Sequence, residues 1–247
     1  MLPISSPMPI KYSLENKEKN VQEMFSSIAG KYDLNNTLLS LGIHYYWKQK
    51  VVQISRIPKN GVILDIASGT GDIAIMLSRK IRQGVLIFSS DLNLEMLKVG
   101  AQKIRKKGLS DWIIPIQGNA EKMPFKDNSI DLVTVGFGIR NFSNIQAGLR
   151  EIHRILKPDG QFVCLEFSKP SRLFWRKLYD FYSYIFLPKI GQWVSKDSTG
   201  VYQYLPDSIR KFPDQDTLKE MMNKEGFKNT SFQNLTGGIV AIHSGIK

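Results

Sequence analysis

Val62-Ile63-Leu64-Asp65-Ile66-Ala67-Ser68-Gly69-Thr70-Gly71-Asp72 is the stretch whose reading settles the architecture. Val62 to Ala67 is an apolar run of strand length that ends in a Ser-Gly-Thr-Gly loop. Helical spacing then holds from Asp72 to about Lys80. Glycine at 69 and 71 permits backbone angles closed to other residues and lets a ligand approach the main chain. An ordinary tight turn would use the same residues. Gly69, Gly71 and Ala74 also fit the G-x-G-x-x-A dinucleotide pattern, so the loop alone leaves a dehydrogenase and a methyltransferase both open.

Toward the C-terminus the pattern alternates. Val85–Ser90, Ile113–Ile116, Ile130–Val135 and Phe162–Phe167 read as strands, with helices from Leu92 to about Lys107 and from about Asn144 to Leu156. Lys157-Pro158-Asp159-Gly160 is a turn signal that closes the second of these helices. Strands alternating with helices imply parallel βαβ units, hence an α/β, Rossmann-like doubly wound sheet. The rhythm breaks at residues 170–212, an aromatic-rich cover insertion. Thr217–Lys224 is then helical, and Phe227–Leu235 with Ile239–His243 form a closing strand pair around Gly237-Gly238. Toward the N-terminus, Val21, Met24, Phe25 and Ile28 fall on one helical face, and Tyr45–Ile54 predicts a second helix. The expected organisation is a flexible terminus over 1–20 and one domain over 21–247, without repeats or linkers.

Composition narrows the class. The 247 residues carry 34 Lys and Arg against 22 Asp and Glu, a net charge of +12, with a 42% hydrophobic share that excludes a disordered chain. No apolar run reaches the roughly 18 residues that span a bilayer. Met1 to Pro9 lacks the pattern of a signal peptide. A single cysteine, Cys164, excludes an internal disulfide and a thiolate metal cluster, so no metal is expected and a cytoplasmic setting fits. The basic residues are spread along the chain, with short clusters such as Lys103, Arg105, Lys106 and Lys107. That distribution favours a basic host composition, with a membrane surface second, and no nucleic-acid partner is expected.

Three features separate the two cofactor readings. Asp65 stands on the strand before the glycines, where a carboxylate suits a cationic amino acid moiety and would repel a pyrophosphate. Asp91, 20 residues after Gly71 at the end of the second strand, is placed to accept from both ribose hydroxyls and fits either reading. Gly118-Asn119-Ala120-Glu121 follows the third strand, where a purine edge would meet a side-chain amide and a backbone N–H; a plain turn-forming role for Asn119 is equally open. With the closing hairpin, these point to S-adenosylmethionine. His153 and His243 lack partners at ligand spacing and read as structural, Cys164 reads as an inert core thiol, and His44 falls in a segment that could line a pocket.

Several runs carry a closer resemblance: Met24-Phe25, Ile28-Ala29-Gly30-Lys31-Tyr32-Asp33, Asn119-Ala120-Glu121 through Pro124-Phe125, and Phe137-Gly138-Ile139-Arg140-Asn141. Later come Leu156-Lys157-Pro158-Asp159-Gly160, Leu165-Glu166-Phe167-Ser168 and Asn234-Leu235-Thr236-Gly237-Gly238-Ile239-Val240-Ala241. From about Val21 onward the chain resembles the ubiquinone/menaquinone biosynthesis C-methyltransferases, also called demethylmenaquinone methyltransferases. The resemblance implies a class I S-adenosylmethionine-dependent methyltransferase fold of seven strands, the last pair antiparallel, that methylates a ring carbon of a prenylated demethylquinol, with naphthoquinol and benzoquinol both open. It places cofactor contacts at Thr70, Asp91, Asn119, Ala120 and Gly136, beside Asp65, Gly69 and Gly71 of the loop. The chain departs from that pattern at Gly136, where relatives often carry Ser, at Ser68, commonly Gly, and at Tyr45, often Arg.

Methyl transfer to carbon is an in-line displacement that needs a ring carbon made nucleophilic by loss of the neighbouring hydroxyl proton. Arg140 is expected to stabilise the phenolate and position a water, since a guanidinium is a poor base; a surface salt bridge is its plainer role. Asn141 is placed to hydrogen-bond a quinol oxygen, and Tyr32 with Asp33 to close over the pocket. Phe174, Leu178, Phe181, Tyr182 and Ile185 share one helical face opposite Arg172 and Arg176, a stripe suited to core packing, a prenyl tail or a bilayer interface. A homodimer is left open. The rival readings are an RNA methyltransferase and a non-catalytic subunit of a quinone-biosynthesis complex.

Overall fold

A computed structural model describes residues 17–81, 83–170 and 201–247. Seven strands, β1 (Gly61–Ile66), β2 (Val85–Asp91), β3 (Ile113–Gln117), β4 (Ile130–Gly136), β5 (Leu156–Phe167), β6 (Lys228–Leu235) and β7 (Val240–Ile246), form one sheet in the order β3-β2-β1-β4-β5-β7-β6. The β1/β2, β1/β4, β2/β3 and β4/β5 pairs are parallel, while β7 runs antiparallel to both β5 and β6. This is the doubly wound sheet with a closing hairpin. The hairpin turn at Thr236–Gly238 needs three successive positive φ values, 48°, 67° and 90°, and two of its three residues are glycines, which take them without strain.

Helices cover both faces: α1 (Lys17–Ile28), α2 (Tyr32–Leu39), α3 (Ile43–Ile54), α4 (Asp72–Ser78), α5 (Leu94–Lys106), α6 (Ile145–Ile155), α7 (Val201–Lys211) and α8 (Gln215–Lys224). Strand alternation divides the core. Val163 and Leu165 of β5 join Ile63 of β1 and Val51 of α3 on one side. Phe162 and Cys164 of β5 join Leu64 and Ile66 of β1 and Leu149 and Ile152 of α6 on the other. Cys164 is fully buried, and burial pushes its thiol pKa well up, so it stays protonated.

Three details depart from the sequence reading. The first helix begins at Lys17, ahead of Val21, and α2 was not anticipated because its polar residues hide the period. The Lys-Pro-Asp-Gly run does not separate helix from strand. It forms a bulge within β5, with Asp159 at φ 64° and a register shift between the Ile130↔Leu156 and Leu132↔Gln161 pairs. Of the aromatic cover, the stripe from Arg172 to Leu187 lies outside the described residues, whereas 201–211 is helix α7.

Candidate active site

The carboxyl ends of β1, β2 and β4 open on a cleft of about 380 Å³, at the crossover point where an open parallel sheet reverses its strand order. Helix α5 packs so closely under the glycine loop that a Cβ at Gly100 would lie 3.2 Å from the Thr70 carbonyl carbon. The loop itself runs through left-handed Ala67, Gly69 and Gly71, with φ of 51°, 56° and 78°. Ser68, at the departure from glycine, has no positive φ and accepts the Ser89 hydroxyl at 2.8 Å, so its Cβ is tolerated.

Two carboxylates mark one end of the cleft. Asp91 closes β2 and accepts the Gly69 amide at 2.7 Å through one oxygen and the Asn93 amide at 2.8 Å through the other. Burial nevertheless holds its pKa above the ordinary carboxylate range, over the opposing pull of the Asn93, Gly69 and Leu92 amides. Asp65 stands near the end of β1 and is 1% exposed; Oδ1 accepts the Thr134 hydroxyl at 2.7 Å, and Oδ2 is buried without a hydrogen bond among the described residues. Burial drives its pKa up to about 7, against the hydrogen bond from Thr134, the Ala74 amide and the charge of Lys48. Asn119 and Ala120 line the same cleft, and the Asn119 side-chain oxygen accepts the Glu121 amide at 2.8 Å. Gly136 lines it too, and a Cβ there would overlap Ile73 Cδ1.

Thr70 is 2% exposed, and its hydroxyl is committed to Asp33 Oδ1 at 2.5 Å. Asp33 does not line the cleft. Its carboxylate reaches Lys103 at 2.7 Å, Lys103 reaches Asp72 at 2.6 Å, and Asp72 reaches Lys48 at 2.7 Å. This chain of charges ties α2, α3 and α5 to the first turn of α4. Burial raises the Asp72 pKa, but Lys48 and Lys103 outweigh it and bring it to about 2. Neither lysine was read as a site residue: Lys103 was noted only within a short basic cluster, and both lie on helices with ordinary polar spacing.

The other end of the cleft is aromatic. Phe137 and Phe167 lie 4.8 Å apart, and Trp47 packs within 6.0 and 6.3 Å of them while donating to Thr236 Oγ1 at 2.8 Å. Phe137 takes φ 60°, an unfavourable conformation for an aromatic residue. That twist brings its carbonyl to Arg140 Nη1 at 2.5 Å. Arg140 is not at the surface: it is buried in an ion pair with Glu166 at 2.8 Å, its guanidinium stands 5.5 Å from the Phe167 ring centre, and its Nε has no partner among the described residues. Burial opposes the charge on each partner and the ion pair favours it. Glu166 ends above its ordinary pKa because burial wins; Arg140 also ends above its own, because Glu166 wins. Glu166 was missed as a site residue, although a carboxylate amid Phe162-Val163-Cys164-Leu165 is a readable signal. Asn141 accepts the Tyr204 hydroxyl at 3.0 Å, and Tyr32 lines the cleft. Among the described residues no cluster of His, Cys, Asp or Glu could hold a metal ion.

Comparison with known proteins adds to this geometry. Residues 13–247 match the model of the ubiE/COQ5 methyltransferase family. The ubiquinone/menaquinone biosynthesis C-methyltransferase UbiE of Pectobacterium carotovorum is 46% identical over 233 residues, 94% of this chain and 92% of that protein. UbiE of Pseudoalteromonas translucida is 47% identical over 232 residues, with the same 94% and 92% coverage. Among solved structures, a SAM-dependent methyltransferase from Aquifex aeolicus aligns with a TM-score of 0.60 at 15% identity, over 96% of this chain and 99% of that one. Phosphoethanolamine N-methyltransferase 2 of Haemonchus contortus, solved with S-adenosyl-L-methionine, gives a TM-score of 0.61 at 14% identity, over 81% and 52%. Identities this low establish a shared fold.

Proposed function

Because the chain belongs to the ubiE/COQ5 methyltransferase family, whose relatives are named ubiquinone/menaquinone biosynthesis C-methyltransferases, we propose that it transfers a methyl group from S-adenosylmethionine to a ring carbon of a prenylated demethylquinol. It is an S-adenosylmethionine-dependent C-methyltransferase of the class I fold. The rival reading of an RNA methyltransferase has no such support.

The observation that carries the reading is the division of the cleft, with Asp65 and Asp91 at one end and Arg140 among aromatic rings at the other. The first end fits the methyl donor. Asp65 Oδ2, buried and unpaired, suits the donor's ammonium group, and Asp91 suits the ribose. Gly69 and Thr70 let the main chain approach, with Asn119, Ala120 and Gly136 around the remainder, while Gly71 turns the loop behind the cleft toward Ser89 and Ile104. When bound, S-adenosylmethionine supplies an electrophilic sulfonium methyl. The chain's own task is to make the acceptor carbon nucleophilic and hold it in line. Arg140 favours the phenolate over the phenol, since a buried cation stabilises developing oxyanion charge strongly at low dielectric. Glu166, Phe137 and Phe167 fix its guanidinium. Asn141 and Tyr32 orient the quinol, and Asp33 acts indirectly by anchoring Thr70.

The rim supports an apolar tail. Leu41 is 93% exposed and Leu34 56%, and Ile43, Tyr45 and Tyr46 are exposed beside them, while Leu39, Leu41 and Ile43 also line the cleft. This apolar lip on a basic protein suits peripheral contact with a bilayer that holds the substrate. No helix among the described residues is long and apolar enough to cross a membrane.

The test is incubation with labelled donor and a short-tailed demethylquinol, with mass spectrometry locating the added carbon. Methylation of a ring carbon is expected, and Arg140→Ala should lower turnover by at least 100-fold while leaving donor affinity within about threefold. An unaltered ring in the presence of bound donor rejects the reading.

A further inference from the structure

His44 occupies the first turn of α3, is 4% exposed and lines the cleft. The Ser40 hydroxyl donates to the Asn36 carbonyl at 2.6 Å and lies 2.7 Å from His44 Nδ1. A hydroxyl has one hydrogen. With that hydrogen committed to Asn36, the second contact requires the imidazole to donate. The ring is therefore the Nδ1–H tautomer, and Nε2 carries a lone pair. Nε2 is buried and has no hydrogen-bond partner among the described residues. A buried acceptor left unpaired is costly, and such groups recur where a ligand completes the bond. Burial and then Lys48 pull the His44 pKa from 6.5 to about 4, aided by Lys103 and opposed by Asp72 and Asp33. The ring is neutral at pH 7 with a free lone pair; the same burial and Lys48 charge weaken it as a base, so transfer to it relies on Arg140 making the acceptor hydroxyl more acidic.

We propose that His44 Nε2 takes the hydroxyl proton of the aromatic substrate, which makes His44 a catalytic residue for the methyl transfer. This rests on the quinol reading given above. The O–H bond breaks, its electron pair stays on oxygen as the phenolate, and the proton forms the imidazolium, with Nδ1–H still held by Ser40. The activated ring carbon then forms its bond to the methyl group as the S–CH3 bond breaks, and that bonding pair stays on sulfur. The new tetrahedral carbon loses its hydrogen to water, the C–H pair restores the aromatic ring, and the oxygen recovers its proton from His44. One proton leaves in each turnover, and His44 returns to its starting state. Arg140 and His44 divide the work: a fixed cation for the oxyanion and a neutral acceptor for its proton.

The decisive experiments use the full-length protein with 15N-labelled histidine. In the free protein one of the three histidines, identified by its loss in His44→Gln, should show an unprotonated Nε2 and a protonated Nδ1. Adding the methylated quinol product without donor should shift that Nε2 signal. His44→Gln should lower kcat by about 10²- to 10⁴-fold with donor Kd within about twofold. Ser40→Ala, which frees the tautomer, should lower kcat about tenfold and leave donor Kd unchanged. A protonated Nε2 in the free protein, or a His44→Gln kcat within threefold of the parent, overturns the proposal. If His44→Gln fails to fold, the tautomer and the product-induced shift decide it. A parent enzyme that binds donor but methylates no quinol overturns the quinol reading instead, and the Nε2 state still reports on the site.

Discussion

Replacing Asp65 by Asn separates the cofactor role proposed for this carboxylate from its cost to the fold. The Asp65 pKa lies at about 7 against an ordinary 3.8. A folded-state pKa raised in this way contributes stability below the unfolded value and loses it as pH rises through 7. At pH 8 the ionised, buried group therefore costs the fold about 4 kcal/mol. A bound ammonium group reverses the balance by favouring the ionised form. Donor affinity should then track ionised Asp65, rising roughly 25-fold between pH 5.5 and 7.5 and levelling above that. Isothermal titration calorimetry across that range tests this directly, with proton release on binding near pH 6 read from buffers of different ionisation enthalpy. In Asp65→Asn the slope should vanish, donor affinity at pH 8 should fall at least tenfold, and the ligand-free protein should melt higher than the parent. A parent curve that is flat with pH, or an equal slope in Asp65→Asn, refutes the assignment of the ammonium to Asp65.

Glu166→Ala leaves the Arg140 guanidinium buried and unpaired, a loss of about 3–5 kcal/mol that calorimetry should record as a Tm drop on the order of 10 °C. Asp72, with its pKa depressed to about 2, contributes stability that is fully present above 3.8 and lost as pH falls through 2. Lys103→Ala should therefore shift the acid unfolding midpoint upward in a circular-dichroism titration. Gly136→Ser forces Ile73 Cδ1 aside and should cost about 1–3 kcal/mol in urea denaturation, most of it recovered by adding Ile73→Val.

Legibility in the sequence followed periodicity. β1, β2, β4 and the hairpin were readable because their apolar runs are bounded by Gly, Pro and Asp, and parallel pairing followed from the alternating helices. Helix α2 was not, since Tyr32-Asp33-Leu34-Asn35-Asn36-Thr37 mixes both characters and owes its helicity to tertiary anchors. At the site, residues presented by strand ends and glycine turns (Asp65, Gly69, Asp91, Asn119) were visible from local pattern. Glu166, Lys48 and Lys103 work through partners distant in the chain, such as the pairing of Lys103 with Asp33, and spacing carries no trace of that. Asp33 shows the same limit from the other side: it was expected to close over the pocket with Tyr32, but its carboxylate turns to Thr70 and Lys103 rather than to the cleft.

The charge relay from Asp33 to Lys48 has a consequence for handling the protein. Thr70 is gripped by Asp33 of the amino-terminal helices, so a ligand that steadies the glycine loop also steadies them, by an equal free energy in each direction. If the proposed donor site is right, trimming the chain near Asp33 should weaken its hold on the methyl donor. Conversely, saturating the protein with donor shields the Lys17–Leu39 segment from proteases.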